Sequence, residues 1–167
     1  MVSQNDEVLR LLLDANPSLA SNRESTRFLG PLYEKKRFST LELLLEKRAH
    51  VNGATVNGVP IFYQAVSDRM PQMVKLMIDA NAYVNVRGRG TKTPLILACR
   101  RRYRDIVQML LEVNAQLEYS ALKAVIDGRQ STVLQMLVDA KANLRIRYGQ
   151  GESLLMLALE NNLPNMI

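Results

Sequence analysis

The chain has 167 residues and a formal net charge of +6, a length that suits one domain with a real hydrophobic core. Apolar residues make up 47% of it, which excludes a disordered chain, and apolar runs such as Leu11–Leu13 are far too short to span a bilayer. The single cysteine, Cys99, excludes an internal disulfide framework, so we expect a soluble cytoplasmic protein, with the nucleus as the open alternative.

One apolar sequence pattern recurs along the chain and predicts a helix at each copy. In chain order the copies read LRLLLDANPSLA, LELLLEKRAHVN, VKLMIDANAYVN, VQMLLEVNAQLE and LQMLVDAKANLR. Each contains an apolar triplet, and the triplets end at Leu13, Leu45, Ile78, Leu111 and Val138, spaced by 32, 33, 33 and 27 positions. A second apolar stretch precedes most copies. A fixed period of this length is typical of stacked repeats, and the low aromatic content, 5% with no Trp, favours helices.

Residues 91–118 hold the clearest copy, which predicts two helices joined by a tight turn. Thr93 suits an N-cap and Pro94 the first helical position, whereas Leu95 and Ala98 fall on one helical face. A second helix is indicated by a stripe at i, i+1, i+4 and i+5. The stripe consists of Ile106, Val107, Leu110 and Leu111.

These residues resemble the ankyrin repeat, whose pattern is T-P-L-H-x-A, a glycine turn, and then I-V-x-L-L-L-x-x-G-A-x-V-N. The resemblance implies an all-α ankyrin-repeat solenoid of stacked helix-turn-helix units with short β-hairpin fingers. The chain departs from the pattern in two places. The histidine is replaced by Gly30, Tyr63, Ile96, Lys123 and Met156. The turn glycine is replaced by Lys36, Arg69, Arg102, Arg129 and Asn162.

The resemblance divides the chain into one array over residues 1–167, with about four full repeats and two half repeats. The half repeats are 1–22 and 149–167, and the full repeats are 23–56, 57–90, 91–118 and 119–148. The 27-residue interval predicts that the finger before Ser120 is missing. Because both ends fall inside repeats, whereas natural arrays end in polar caps, we expect a fragment of a longer array or unusual ends, with self-association through the exposed repeat ends.

Residues 85–104 carry seven cations and no acid: Arg87, Arg89, Lys92, Arg100, Arg101, Arg102 and Arg104. The stretch GRGTKT within this segment superficially resembles a phosphate-binding loop. Its spacing is wrong, because Thr91 separates Gly90 from Lys92 and Asn85 stands where the first glycine is required. We therefore interpret the glycines as turn residues of a finger.

The sequence offers little for catalysis, and we expect no enzyme, no cofactor and no metal. His50 is the only histidine, so a zinc site of the usual His and Cys ligands is excluded. Cys99 lies beside Ala98 on the inward face of a predicted helix, where a buried structural thiol is expected.

We interpret the chain as a protein–protein interaction module, a scaffold or adaptor that binds an acidic protein on its concave face. Partner-contacting positions are carried over from the family's finger tips and first-helix ends, together with nearby residues of the basic segment. They are Arg87, Arg89, Lys92, Arg100, Arg101, Tyr103, Asn57, Val59 and Asp68. The alternative is a polyanion: a phosphorylated ligand, inositol phosphate or RNA. Nucleic acid is disfavoured because Tyr103 is the only aromatic stacking platform near the cations, and no membrane partner is expected.

Overall fold

The computed structural model of the chain describes residues 4–16, 18–21, 25–88, 90 and 92–141. It divides into two compact units, Met1–Gly90 and Thr91–Ile167. Within the described residues almost all regular structure is helical, and the strands form one short hairpin. The expected all-α repeat class is confirmed. The expected half repeat 149–167 lies outside the described residues, and the repeat boundaries stay a prediction.

The first unit contains helices that pack in consecutive pairs and one finger. Its elements are α1 (Gln4–Ala15), α2 (Ser18–Ser21), α3 (Thr26–Glu34), α4 (Phe38–Glu46), β1 (Thr55–Val56), β2 (Val59–Pro60), α5 (Ile61–Ser67) and α6 (Pro71–Asp79). The strands are antiparallel, with Val56 opposite Val59. Helix α4 packs on α6, and α3 contacts both α5 and the hairpin.

The second unit repeats the helix pair twice. Its elements are α7 (Pro94–Arg101), α8 (Arg104–Glu112), α9 (Tyr119–Asp127) and α10 (Ser131–Asp139). The bounds of α7 and α8 agree with the helices predicted from the 91–118 copy. The first helices α7 and α9 pack side by side, as do the second helices α8 and α10, which is the stacking expected of consecutive repeats.

The first helix and the second helix of a pair are each followed by a residue with a left-handed backbone. This conformation lets the last carbonyl groups of the helix accept hydrogen bonds. At the turn between the two helices of a pair, φ is 54°, 53°, 60° and 49° for Lys36, Arg69, Arg102 and Arg129. After the second helix, φ is 59°, 60°, 54° and 52° for Arg48, Asn81, Asn114 and Lys141. Seven of these eight turns show both backbone hydrogen bonds of a Schellman motif, for example Arg102 N to Cys99 O at 3.2 Å and Tyr103 N to Ala98 O at 3.0 Å. At Lys141 the residue that would make the second bond lies outside the described residues.

The left-handed positions report the repeat register directly. Those between paired helices are separated by 33, 33 and 27 residues, and so are those after the second helices. Within every pair the two positions are 12 residues apart, so the shortening falls outside the helix pair. The connection between α8 and α9 spans only residues 113–118 and contains no strand, which agrees with the predicted loss of a finger.

The core consists of the inward faces that the apolar stripes predicted. Ile106, Val107 and Leu110 are fully buried, and Leu111 retains 8% of its exposed area. On the partner helix α7, Ala98 and Cys99 are also fully buried. Apolar burial across the pair is therefore what fixes α7 against α8, since helices of this length are marginal alone in water.

Consecutive loops of the first unit are joined by polar groups. The Asn52 side chain donates from Nδ2 to Asn81 O at 2.8 Å and accepts from Tyr83 N at 2.7 Å. The Thr26 hydroxyl donates to the His50 carbonyl at 2.7 Å. The loop that contains His50, the only histidine of the sequence, is thus held in place through the His50 backbone carbonyl.

Candidate functional site

Helix α7, which carries two of the candidate cations, begins and ends where its local sequence dictates. The Thr93 side chain caps its start, with Oγ1 accepting from Ile96 N at 3.4 Å. Pro94 occupies the first helical position, where a missing N–H removes no hydrogen bond. Arg100 and Arg101 fill the last turn, where cations are stabilised by the helix dipole. That dipole effect is a sufficient structural reason for one or two cations at this end.

The candidate cations of the second unit lie at both ends of α7. Arg100 and Arg101 are exposed at its C-terminal end, whereas Lys92 is half-buried and precedes the N-cap Thr93. A helix of this length is about 12 Å long, so Lys92 and the arginine pair are separated by roughly that distance along the axis. Whether they line one groove stays a prediction.

Tyr103 and Arg102 both make contacts at the turn between α7 and α8. Tyr103 is half-buried, it is the N-cap of α8, and its backbone N–H closes the turn after α7. The Arg102 guanidinium donates to Gly128 O at 2.9 Å, at the end of the neighbouring helix α9. Arg102 therefore contributes to the joint between repeats from an exposed position, whereas Tyr103 closes the turn within its own repeat.

The finger cations and glycines lie at the end of the first unit. Arg87 is exposed, and Arg89 lies outside the described residues. Gly90 has a φ of 67°, which any larger residue would adopt only under strain, and a Cβ at Gly88 would meet the Tyr63 ring at 2.3 Å. The glycines that resemble a phosphate-binding loop are therefore explained by a left-handed turn and a close approach to an aromatic ring.

The predicted partner-contacting residues of the first unit differ in how exposed their side chains are. Asn57 and Gly58 form the hairpin tip, with φ of 51° and 75°, as in a type I′ turn. Asn57 is exposed, although its backbone N–H donates to Glu34 Oε1 at 3.2 Å. Val59 retains only 6% of its exposed area, because it faces inward from β2. Val59 is therefore a core residue and not a surface contact.

Asp68 is exposed, but both its carboxylate oxygens are occupied. The Tyr33 hydroxyl donates to Asp68 Oδ2 at 2.7 Å, and Gln64 Nε2 donates to Oδ1 at 2.9 Å. Burial raises the pKa of Tyr33 well above its ordinary value, and the hydrogen bond to Asp68 adds to the effect. Sequence reasoning missed this pair, since 35 positions separate its members and no motif links them.

An apolar groove of about 570 Å³ lies between α1, α2, α3 and α4 of the first unit. Among its lining residues, Leu12, Leu19 and Phe28 keep 53%, 53% and 62% of their exposed area. Leu13, from the N-terminal end of the array that was expected to be exposed, is buried at 2%, because α1 packs on α4. Self-association through this end stays a prediction.

With this geometry in hand, comparison with known protein families is decisive. The family model of ankyrin repeats, in three copies, matches residues 32–121, which is more than half of the chain. The chain belongs to the ankyrin-repeat family. No curated protein matches the chain significantly. Ankyrin repeats generally serve as protein–protein interaction modules and are typically not enzymes.

Cys99 of this ankyrin chain is fully buried on α7. Burial raises the pKa of Cys99 to about 12, so its thiol stays protonated at neutral pH and is a poor nucleophile. In the same part of the chain, no three His, Cys, Asp or Glu residues are grouped so that they could hold a metal ion. None of the helices located there has the length and apolar character needed to cross a membrane.

Proposed function

We propose that this ankyrin array binds an acidic protein partner on its concave face, the surface that repeat arrays generally use for binding. The observation that carries the proposal is the charge of one continuous segment. Between Asp79 and Asp105 the chain holds seven cations and no acid. Arg100 and Arg101 from this segment are exposed on α7.

The helix dipole accounts for part of this cluster, but not for all of it. Two cations in the last turn of α7 complement the carbonyl end of the helix. Lys92 and Arg87 lie away from that end and gain nothing from it. We therefore assign Lys92, Arg100 and Arg101 to the contact in the second unit, and we propose Arg87, Arg89 and the finger-tip Asn57 as contacts in the first unit. Tyr103 in the second unit and Asp68 in the first remain proposed contacts of the partner.

Electrostatic complementarity of this kind sets the association rate and the choice of partner more than it sets affinity. The test is therefore kinetic. A glutamate-rich peptide is bound to the immobilised chain across a series of salt concentrations. We expect binding to weaken steeply with salt, because exposed charges are screened beyond about 8 Å at physiological ionic strength. The double variant Arg100→Glu/Arg101→Glu should lower the association rate more than it raises the dissociation rate.

A matched control reverses two exposed cations outside the segment, Arg27→Glu and Lys75→Glu. It changes the net charge equally and should affect the association rate much less. An equal loss in both variants would show that only net charge matters and would overturn the proposed contact. Inositol hexakisphosphate and a single-stranded RNA serve as polyanion probes. If either one binds through Arg100 and Arg101 while the peptide does not, the polyanion alternative replaces the protein partner.

A further inference from the structure

The apolar groove of the first unit has the position of a helix. In this unit α3 packs on the second helix of its own repeat, α4, and on the first helix of the next repeat, α5. Helix α1 packs on α4 as α4 packs on α6, so α1 is a second helix. Within the described residues no first helix accompanies α1. The groove lies between α1 and α3, which is the place that a first helix paired with α1 would take.

The walls of the groove are apolar and open. Leu12 on α1 and Phe28 on α3 both keep more than half of their exposed area. On α3 the lining residues Phe28, Leu32 and Lys35 follow the i, i+4, i+7 spacing of one helix face, which covers about 10 Å along the axis. Grouped exposed apolar side chains mark an interaction site, and an amphipathic helix fills such a groove with residues at the same spacing.

Among the described residues that line the groove, Lys35 is the only charged one. It is the C-cap of α3, it is exposed, and it forms no hydrogen bond or ion pair with another described residue. The turn after α3 adds Lys36 and Arg37 against one acid, Glu34, so this end of the groove is net positive. The Lys35 ammonium group is therefore available to a ligand in the groove.

In the next repeat, the position equivalent to Lys35 contacts a neighbouring first helix. Lys36 and Arg69 are equivalent turn residues 33 positions apart, so Asp68 is the equivalent of Lys35. Asp68 Oδ2 accepts from the Tyr33 hydroxyl at 2.7 Å, and Tyr33 lies in the last turn of α3. Because this bond joins the C-terminal ends of α3 and α5, the two helices run parallel. A helix in the groove that runs parallel to α3 brings its own last turn to Lys35.

The chemistry of Lys35 specifies what that last turn must contain. Asp68 accepts a hydrogen bond at its position, whereas a lysine can only donate. A carboxylate in the last turn of the bound helix supplies the acceptor, and the negative end of the helix dipole adds to the attraction.

A second copy of this chain offers no such helix among its described residues. Its first helices bury their apolar faces in their own repeats, and Leu29, Ile61 and Leu122 retain 1% of their exposed area or less. The occupant therefore comes from a different protein.

We propose that the groove binds an amphipathic helix of a partner protein, which lies parallel to α3 and places an acidic residue of its last turn against Lys35. Apolar burial against Leu12 and Phe28 supplies the affinity, and Lys35 fixes the direction of the helix. This site is separate from the acidic contact proposed on α7, and different residues test it.

The probe is a labelled peptide of about 14 residues, lactam-bridged because isolated helices of this length are marginal in water. It carries leucine at i, i+3, i+4 and i+7 and one glutamate in its last turn. One reference peptide has the same composition with its leucines dispersed around the helix. In a second reference peptide, lysine replaces the last-turn glutamate. Fluorescence anisotropy measures the affinity of the chain for each peptide.

The apolar wall is tested with two neighbouring leucines of α1. Leu12→Ser should weaken binding of the probe about fivefold, because about half of a leucine side chain loses its burial. The matched control is Leu11→Ser, since Leu11 is 63% exposed but does not line the groove, and it should leave the affinity nearly unchanged. Phe28→Ser repeats the test from the opposite wall if Leu12→Ser alters the fold.

The charge is tested by exchange. Lys35→Glu should weaken binding of the glutamate peptide about threefold, the size expected of an exposed ion pair, and should strengthen binding of the lysine peptide. Structural damage alone cannot produce this crossed response. The control Lys75→Glu, at an exposed position on α6, changes the net charge equally and should affect neither peptide.

Equal affinity for the probe and the dispersed peptide would overturn the proposal, as would equal losses in Leu12→Ser and Leu11→Ser. Sedimentation velocity without peptide detects the competing occupant. Self-association that Leu12→Ser abolishes, and that the probe does not reverse, would assign the groove to a second copy. The variant Arg100→Glu/Arg101→Glu should bind the probe as the parent chain does. A loss there would place the probe at the α7 contact and reject the groove as its site.

Discussion

The Arg102 guanidinium donates a hydrogen bond to the Gly128 carbonyl, with 2.9 Å between Nη2 and O. One residue thus combines a left-handed backbone, with a φ of 60°, and a side chain that caps the helix of the next repeat. The strain at this turn is offset by a contact to the neighbouring turn, which explains how a non-glycine residue is accommodated at Arg102. Within the described part of the chain, the Arg129 side chain makes no such bond to a neighbouring turn, and the difference is measurable.

Replacing Arg129 with glycine should stabilise the chain by about 0.5–1 kcal/mol, because it removes the penalty of a left-handed side chain. Replacing Arg102 with glycine relieves the same strain but removes the hydrogen bond to Gly128, worth about 0.5–1.5 kcal/mol. We expect a net change near zero for Arg102→Gly. Urea unfolding of the two variants checks this, and an equal gain from both would show that the Arg102 bond contributes nothing.

Replacing Gly30 with alanine should destabilise the first unit, although alanine is the better helix former by about 1 kcal/mol. A Cβ at Gly30 would lie 2.2 Å from the Thr55 carbonyl oxygen, and backbone on a finger strand cannot move aside without loss of packing. We expect a loss of about 1–3 kcal/mol, as for other overpacked sites. Thermal unfolding measures it. Gly58→Ala, whose Cβ meets no neighbour within 4 Å but whose φ is +75°, gives the cost of a left-handed backbone without a clash.

Replacing Ala115 with leucine should lower stability by about 1–3 kcal/mol. Ala115 retains 7% of its exposed area and follows the left-handed Asn114, where the chain turns sharply after α8. The equivalent Ala82 is only half-buried, so Ala82→Leu should have a smaller effect. The urea midpoints of unfolding of the two variants measure this difference in stability. An unchanged midpoint for Ala115→Leu would mean that this position does not limit repeat packing.

The free energy of unfolding should fall as pH rises above about 9. The folded chain holds the Cys99 proton up to a pKa of about 12, whereas an exposed thiol releases it near its ordinary pKa of 9.0. The unfolded state therefore binds fewer protons in this window, so raising the pH favours it. Cys99→Ala should flatten the pH dependence between about pH 8.5 and pH 9.5, where an exposed tyrosine, with a pKa near 10, is still mostly protonated. Urea titrations across this range measure how the free energy of unfolding changes with pH. If Cys99→Ala leaves that slope unaltered, Cys99 is not its source.

Local sequence was enough to predict the helix pairs, their ends and their period. Thr93 and Pro94 mark the start of α7, and apolar stripes such as Ile106 to Leu111 mark the buried faces, because caps and stripes act within one or two helical turns. The loss of a finger before α9 followed from spacing alone. These features depend on residues close together in the chain.

Contacts between repeats were decided only by the tertiary structure. Tyr33 reaches Asp68, Arg102 reaches Gly128, and Gly30 lies against Thr55, all across 25 positions or more. The burial of Val59, expected to be exposed, is of the same kind. Apolar periodicity specifies that one repeat must stack on the next, but it does not specify which polar group then meets which. The pairing of polar groups is set by the distance and rotation between stacked helices, and the sequence of a single repeat contains no information about either.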